Sequence, residues 1–220
     1  FIGRVLLNAF NAWEYGHQSD REDLKANSMK VFDSYLKNGF TPVGFFKESV
    51  DFDKGYEDPV HSIRRQSEGI YAMLHFLAYE KENGRRHPEW EQKMKNMLDI
   101  LLRLQQADGS FPRKFRDDFT IVDTSGGSTP SATLPLVMGY KYFKDKRYLA
   151  SAKQTADYLE KVLISKADYF SSTLDANCED KEASLYAATA TYYLSLITKG
   201  DEHRHYADLT KKAAYFALSW

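Results

Sequence analysis

Carboxylates gather in three stretches of this chain. Asp51, Asp53, Glu57, Asp58 and Glu68 form the first, Asp117, Asp118 and Asp123 the second, and Asp175, Glu179, Asp180 and Glu182 the third. Two carboxylates that face each other across a sugar can divide the work of acid and of base or nucleophile, which is the chemistry of glycosidic bond cleavage. Glu68, Asp118, Asp175 and Glu182 are the candidates for those roles. Acids also favour the first turns of helices, where they cap free N–H groups, and that bland reading applies to each of them singly.

Two further groups accompany the acids. Arg64 and Arg65, and then Arg113, Lys114 and Arg116, could offer a guanidinium fork to a uronate carboxylate or a sulfate. A loop ion pair with Asp117 or Asp118 is the plainer role for Arg113 and Lys114. Aromatic residues are dense in the same stretches, among them Phe45, Phe46, Phe52, Phe111, Phe115, Phe119, Tyr169 and Phe170. Flat rings stack on the apolar faces of sugars, and two or three of these, with Phe111, Phe115 and Tyr169 as candidates, are expected to face ligand. The others anchor loops as small local cores.

Other chemistries find little support. The net charge of −1 implies no broad attraction to nucleic acid or to an anionic membrane. No run of apolar residues approaches a membrane span. The single cysteine, Cys178, cannot form an internal disulfide. The six histidines, His17, His61, His75, His87, His203 and His205, make no metal-ligand pattern. Asp51-Phe52-Asp53-Lys54-Gly55 opens like a calcium loop, but the glycine comes one place early and position twelve is Ser62. Ser125-Gly126-Gly127-Ser128 lacks a P-loop lysine. No metal and no cofactor is expected.

The elements that must position these groups are helices. Apolar runs at about 63–83, 130–144 and 180–199 are hydrophobic all round, and a first run holds Val5, Leu6, Leu7, Phe10 and Trp13. Such helices must be covered on every side. Between them lie one-sided helices, for example about 88–106, where Trp90, Met94, Met97, Leu98 and Leu101 fall on one face. The order inner, outer, repeated four times, predicts two layers of helical hairpins. Short and long connections alternate as well. The long ones, Phe40–Ser62, Asp108–Thr129 and Ser165–Asp180, each follow an outer helix and precede an inner one. Chain direction sends all three to one end, and that end is the expected site.

The alternation resembles that of the six-hairpin glycosidase-like proteins, the (α/α)6 toroids. The Gln105-Gln106-Ala107-Asp108-Gly109-Ser110-Phe111 turn and the stretch from Asp175 to Ala183 carry the resemblance further. It implies an all-α toroid with inner and outer helix layers. Only four of six hairpins are present, so the barrel would be incomplete. It also implies a carbohydrate-active enzyme, a glycoside hydrolase first, with polysaccharide lyases and sugar epimerases in the same group. A non-catalytic sugar-binding or protein-binding scaffold of helical hairpins is the alternative. Asp175 and Glu182 become the preferred catalytic pair, because they bracket the most family-like stretch. Secretion or a periplasmic location would follow from the resemblance alone.

The chain opens inside an apolar run and closes on Phe216-Ala217-Leu218-Ser219-Trp220. It therefore reads as one toroid domain, 1–220, cut from a longer protein. Phe1, Val5, Trp13 and some of Tyr215, Phe216 and Trp220 are expected to be uncovered at its edges or covered by another chain, open to self-association.

Overall fold

The computed structural model describes residues 2–51, 53–124, 129–170 and 179–219, with only the backbone of residues 2 and 3. Eight α-helices lie among them: α1 (Ile2–Gln18), α2 (Glu22–Asn38), α3 (Ile63–Glu82), α4 (Pro88–Leu104), α5 (Thr129–Phe143), α6 (Lys146–Tyr158), α7 (Lys181–Ile197) and α8 (Gly200–Leu218). A π-helical turn, Leu159–Ile164, continues α6.

Helices α1, α3, α5 and α7 pack side by side in that order, and each also packs on the helix that follows it in the chain. The expected two layers follow from this. Helix α5 is buried continuously from Thr129 to Gly139, so it lies between neighbours on every side. Helix α3 buries Glu68, Gly69, Ile70, Ala72, Met73, Leu74 and Phe76, which span most of its circumference. Helix α4 buries a single stripe from Trp90 to Leu104 and turns its charged face to water. Each such buried Leu or Met contributes about 1.5–3 kcal/mol.

The arc has two ends, and both depart from the expectation of uniform burial. Leu185, Tyr192 and Leu196 on α7 are exposed, Tyr192 by 50%. Their spacing of seven and four residues puts them on one face, and α5, α8 and the end of α6 pack elsewhere on this helix. On α1, Val5 and Tyr15 are exposed. Trp13, expected to be uncovered, is buried, because it lies on the α3 side of α1 against Phe76 and Tyr79. Tyr215 is exposed and Phe216 half-buried. Phe1 and Trp220 lie outside the described residues.

The long loops carry short strands. β1 (Val50–Asp51) pairs with β2 (Tyr56–Glu57) within the first loop. β3 (Val60–Ser62), at the end of that loop, pairs antiparallel with β4 (Lys114–Arg116) of the second, which pairs in turn with β5 (Ile121–Asp123). The first two loops are thus stitched together over the N-terminal end of α3. Gln66 holds the first loop down, exchanging two hydrogen bonds with the backbone of Phe46 at 2.9 and 2.8 Å. Glu48 caps the same helix end. Its buried carboxylate accepts from the Ser62 N–H, from Arg65 at 2.9 Å and from Gln66. Burial nevertheless pushes this carboxyl above its ordinary value.

The Gln105–Phe111 turn locks the second loop to α6. Gln105 donates to the Ser151 carbonyl and the Thr155 hydroxyl, and Ser151 donates back at 2.7 Å. Gly109 takes φ +91°, and a Cβ there would fall 2.3 Å from the Gln154 carbonyl oxygen. Only glycine fits that close approach.

Candidate functional site

The N-terminal ends of α3 and α7 meet through their side chains, although α5 separates the two helices in the arc. Glu68, 6% exposed, accepts a hydrogen bond of 2.6 Å from the Tyr186 hydroxyl and one of 3.0 Å from Arg64 Nε, both on Oε1. Arg64 Nη2 pairs with Glu182 at 2.6 Å. One guanidinium therefore bridges two carboxylates, a buried one from α3 and a half-exposed one from α7. The sequence builds this from two i, i+4 steps. Arg64 and Glu68 share one face of α3, and Glu182 and Tyr186 share one face of α7.

The second oxygen of Glu68, Oε2, is buried and has no hydrogen-bond partner; Arg4 Nε of α1 lies 3.8 Å from it. Burial opposes the charge on Arg64, but Tyr186, Glu68 and Glu182 outweigh it and hold the guanidinium above its ordinary value. Burial, and then the charge of Glu68, push the Tyr186 phenol up, so that it stays a hydrogen-bond donor. Below this layer a second hydroxyl pair crosses the same gap, Tyr71 to Tyr193 at 3.1 Å. His75 packs edge-on beneath Tyr71, with a ring separation of 4.5 Å. Glu68, Tyr71 and His75 thus descend one stripe of α3.

The other candidate residues are distributed as follows. Asp175 lies outside the described residues, as do Phe52, Cys178 and the 125–128 stretch. Asp118 sits on the exposed tip between β4 and β5, where its carboxylate accepts from the Thr120 N–H at 2.9 Å. That bond, with the Thr120 hydroxyl, holds it below the usual range. Arg113 is buried and pairs with Asp123 at 3.4 Å, not with Asp117 or Asp118; its Nε has no hydrogen-bond partner. Asp117 accepts from His61 instead, at 2.8 Å. Lys114 lies beside Ser62 in the sheet and borders a cleft of about 300 Å³ shared with Glu48 and Arg65.

Phe111, Phe115 and Tyr169, proposed from sequence as ligand-facing rings, are at most 1% exposed and serve as loop anchors. Phe115 packs against Phe45 and His61, and Tyr169 lies 4.4 Å from Phe216 of α8. Their aromatic faces are spent on protein, because each loop needs its own small core. Tyr186, Tyr71, Tyr193 and Arg4 were not singled out from sequence. Tyr186 could have been found by its place four residues after Glu182.

Among the described residues no cluster of His, Cys, Asp and Glu could hold a metal ion, and no helix is long and apolar enough to cross a membrane. No family model matches the chain. Solved structures do. The unsaturated glucuronyl hydrolase of Bacillus sp. GL1 superposes with a TM-score of 0.74 at 13% identity, over 98% of this chain and 60% of that one. The cellobiose 2-epimerase of Bacillus thermoamylovorans gives 0.73 at 14%, over 99% and 60%. A D-mannose isomerase gives 0.72 at 16%, over 99% and 59%. The chain has the fold of the six-hairpin glycosidase-like toroids, an all-α arrangement of inner and outer helices. It spans about 60% of the length of these structures.

Proposed function

We propose that this chain is the greater part of a carbohydrate-active enzyme, in first place a glycoside hydrolase, with its site on the concave side of the inner helices at the long-loop end. The observation that carries the reading is Glu68. It is a buried carboxylate with one oxygen held by Tyr186 and Arg64 and the other without a hydrogen-bond partner. A buried oxygen in that state suits a ligand hydroxyl or a transferred proton. Glu182, on the same guanidinium and half-exposed, supplies the second carboxylate. Asp175, a few residues before α7, remains a candidate for the same role. The fold supports a sugar as ligand, since the similar structures named above act on carbohydrates. Fold likeness does not choose among hydrolysis, epimerisation and isomerisation, so the assay must span all three.

In this reading Glu68 acts as acid or base toward a sugar oxygen, Arg64 fixes the spacing of the two carboxylates, and Tyr186 orients Glu68. No metal and no cofactor takes part. The test is Glu68→Gln, Glu182→Gln and Asp175→Asn in the full-length protein, assayed on oligosaccharides for hydrolysis and on free sugars for epimerisation and isomerisation. Loss of an acid or base should lower turnover by about 10²–10⁴-fold. Undiminished turnover in Glu68→Gln and Glu182→Gln, with folding intact by circular dichroism, would remove this pair from the chemistry.

A further inference from the structure

A second cavity opens at the other end of the inner helices, between the C-terminal turns of α3 and α5. Its volume is about 430 Å³, within the range of small-molecule sites. Three lysines line it, Lys81 from α3 and Lys141 and Lys144 from the end of α5, against one acid, Glu82. None of the three lysines forms an ion pair among the described residues; the charge of Lys81 is felt at Glu91, a carboxylate already paired with Arg86 at 2.6 Å.

Lysines near helix C-termini are common, because they answer the negative end of the helix dipole. That accounts for each lysine singly. It does not account for three of them around one cavity with an apolar floor. Ala78 and Met138 form that floor, and Met138 is almost fully buried. One wall is Tyr142, over whose ring Lys81 Nζ lies at 4.7 Å. Tyr142 is itself fixed, its hydroxyl donating to Glu91 at 2.8 Å, so its ring offers the exposed Lys81 a set face at the cavity. The cationic field is felt inside the protein. After burial, the charge of Lys141 is the second cause that lowers His75.

We infer that this cavity binds a small phosphate ester, its phosphate among Lys81, Lys141 and Lys144 and its organic body against Ala78, Met138 and Tyr142. A phosphate monoester carries close to two negative charges at pH 7. That matches the excess of two cations left after Glu82. The Tyr71–Tyr193 pair and His75 lie between this cavity and Glu68 along α3, so the site is separate from the proposed carbohydrate site.

The test is calorimetric titration of the chain with phenyl phosphate, inorganic phosphate and, as an uncharged control with the same ring, phenol. Phenyl phosphate should saturate with a Kd near or below about 1 mM, more tightly than inorganic phosphate, and should weaken at least about tenfold in a Lys81→Ala/Lys141→Ala variant. Both lysines are exposed, so the variant should fold. Phenyl phosphate that fails to saturate, or that binds the double variant as well as the parent chain, would overturn the assignment. Either outcome leaves the test of Glu68 and Glu182 untouched.

Discussion

Tyr186 makes the contact on which the candidate site turns. Its hydroxyl reaches from α7 to the one hydrogen-bonded oxygen of a buried glutamate on α3. A hydrogen bond to a charged, buried acceptor contributes about 1.5–3 kcal/mol, so Tyr186→Phe should lower unfolding free energy by that amount, measured by urea denaturation. An unchanged midpoint would mean that the contact does not hold the two helices together. His75 gives a pH-dependent counterpart. Burial first, and then Lys141, lower it from 6.5 to about 4. Between those values the unfolded chain binds a proton that the folded chain refuses, so stability falls as pH drops from about 6.5 towards 4. At pH 5 the loss from this group is about 2 kcal/mol relative to pH 7. His75→Leu should flatten that part of the stability profile; a profile of the same slope would assign the effect to other groups. At this scale the sequence was partly legible. Glu68, Arg64 and Glu182 stood out as charges at the starts of apolar helices. Tyr186 did not, because it sits in an apolar run where a tyrosine reads as core. Phe111 and Phe115 misled for the converse reason, since nothing in a loop sequence says whether a ring faces ligand or protein.

Helices declare their layer by how many faces are apolar. That pattern placed α3 and α5 inside and α4 outside, and the alternation of loop lengths placed the long loops at one end. The strands were not legible. β3 and β4 are three residues each and lie far apart in sequence, so no local periodicity marks their pairing. The exposed stripe on α7 was not legible either, since an apolar face looks the same whether or not a neighbour covers it. This gives a contrast within one helix. Leu194 is fully buried, and Leu194→Ala should cost about 2–5 kcal/mol. Tyr192 is half-exposed, and Tyr192→Ser should change stability by no more than about 0.5 kcal/mol in this chain. Comparable losses from both substitutions, in denaturation at equal protein concentration, would show that the Tyr192 face is covered in solution. Self-association through that face, which we expect for uncovered edges, would then also appear as a concentration-dependent midpoint.

Across the whole molecule, four hairpins form an arc whose inner helices point their N-terminal ends at the stitched long loops. Among the described residues the first and last inner helices, α1 and α7, are not packed against each other. We propose that further hairpins of a longer chain close this arc and cover Leu185, Tyr192 and Leu196. The concave side would then become a pit with Arg64, Glu68, Glu182 and Tyr186 on its wall. The central claim is that a sugar binds there. Its most direct test is a crystal structure of the full-length Glu68→Gln protein soaked with an oligosaccharide. The expected result is a sugar oxygen within about 3 Å of the residue 68 side chain, with Arg64 and Tyr186 in contact with the same sugar ring. A sugar bound elsewhere on the protein, with the Arg64–Glu182 pair undisturbed and apart from it, would contradict the claim.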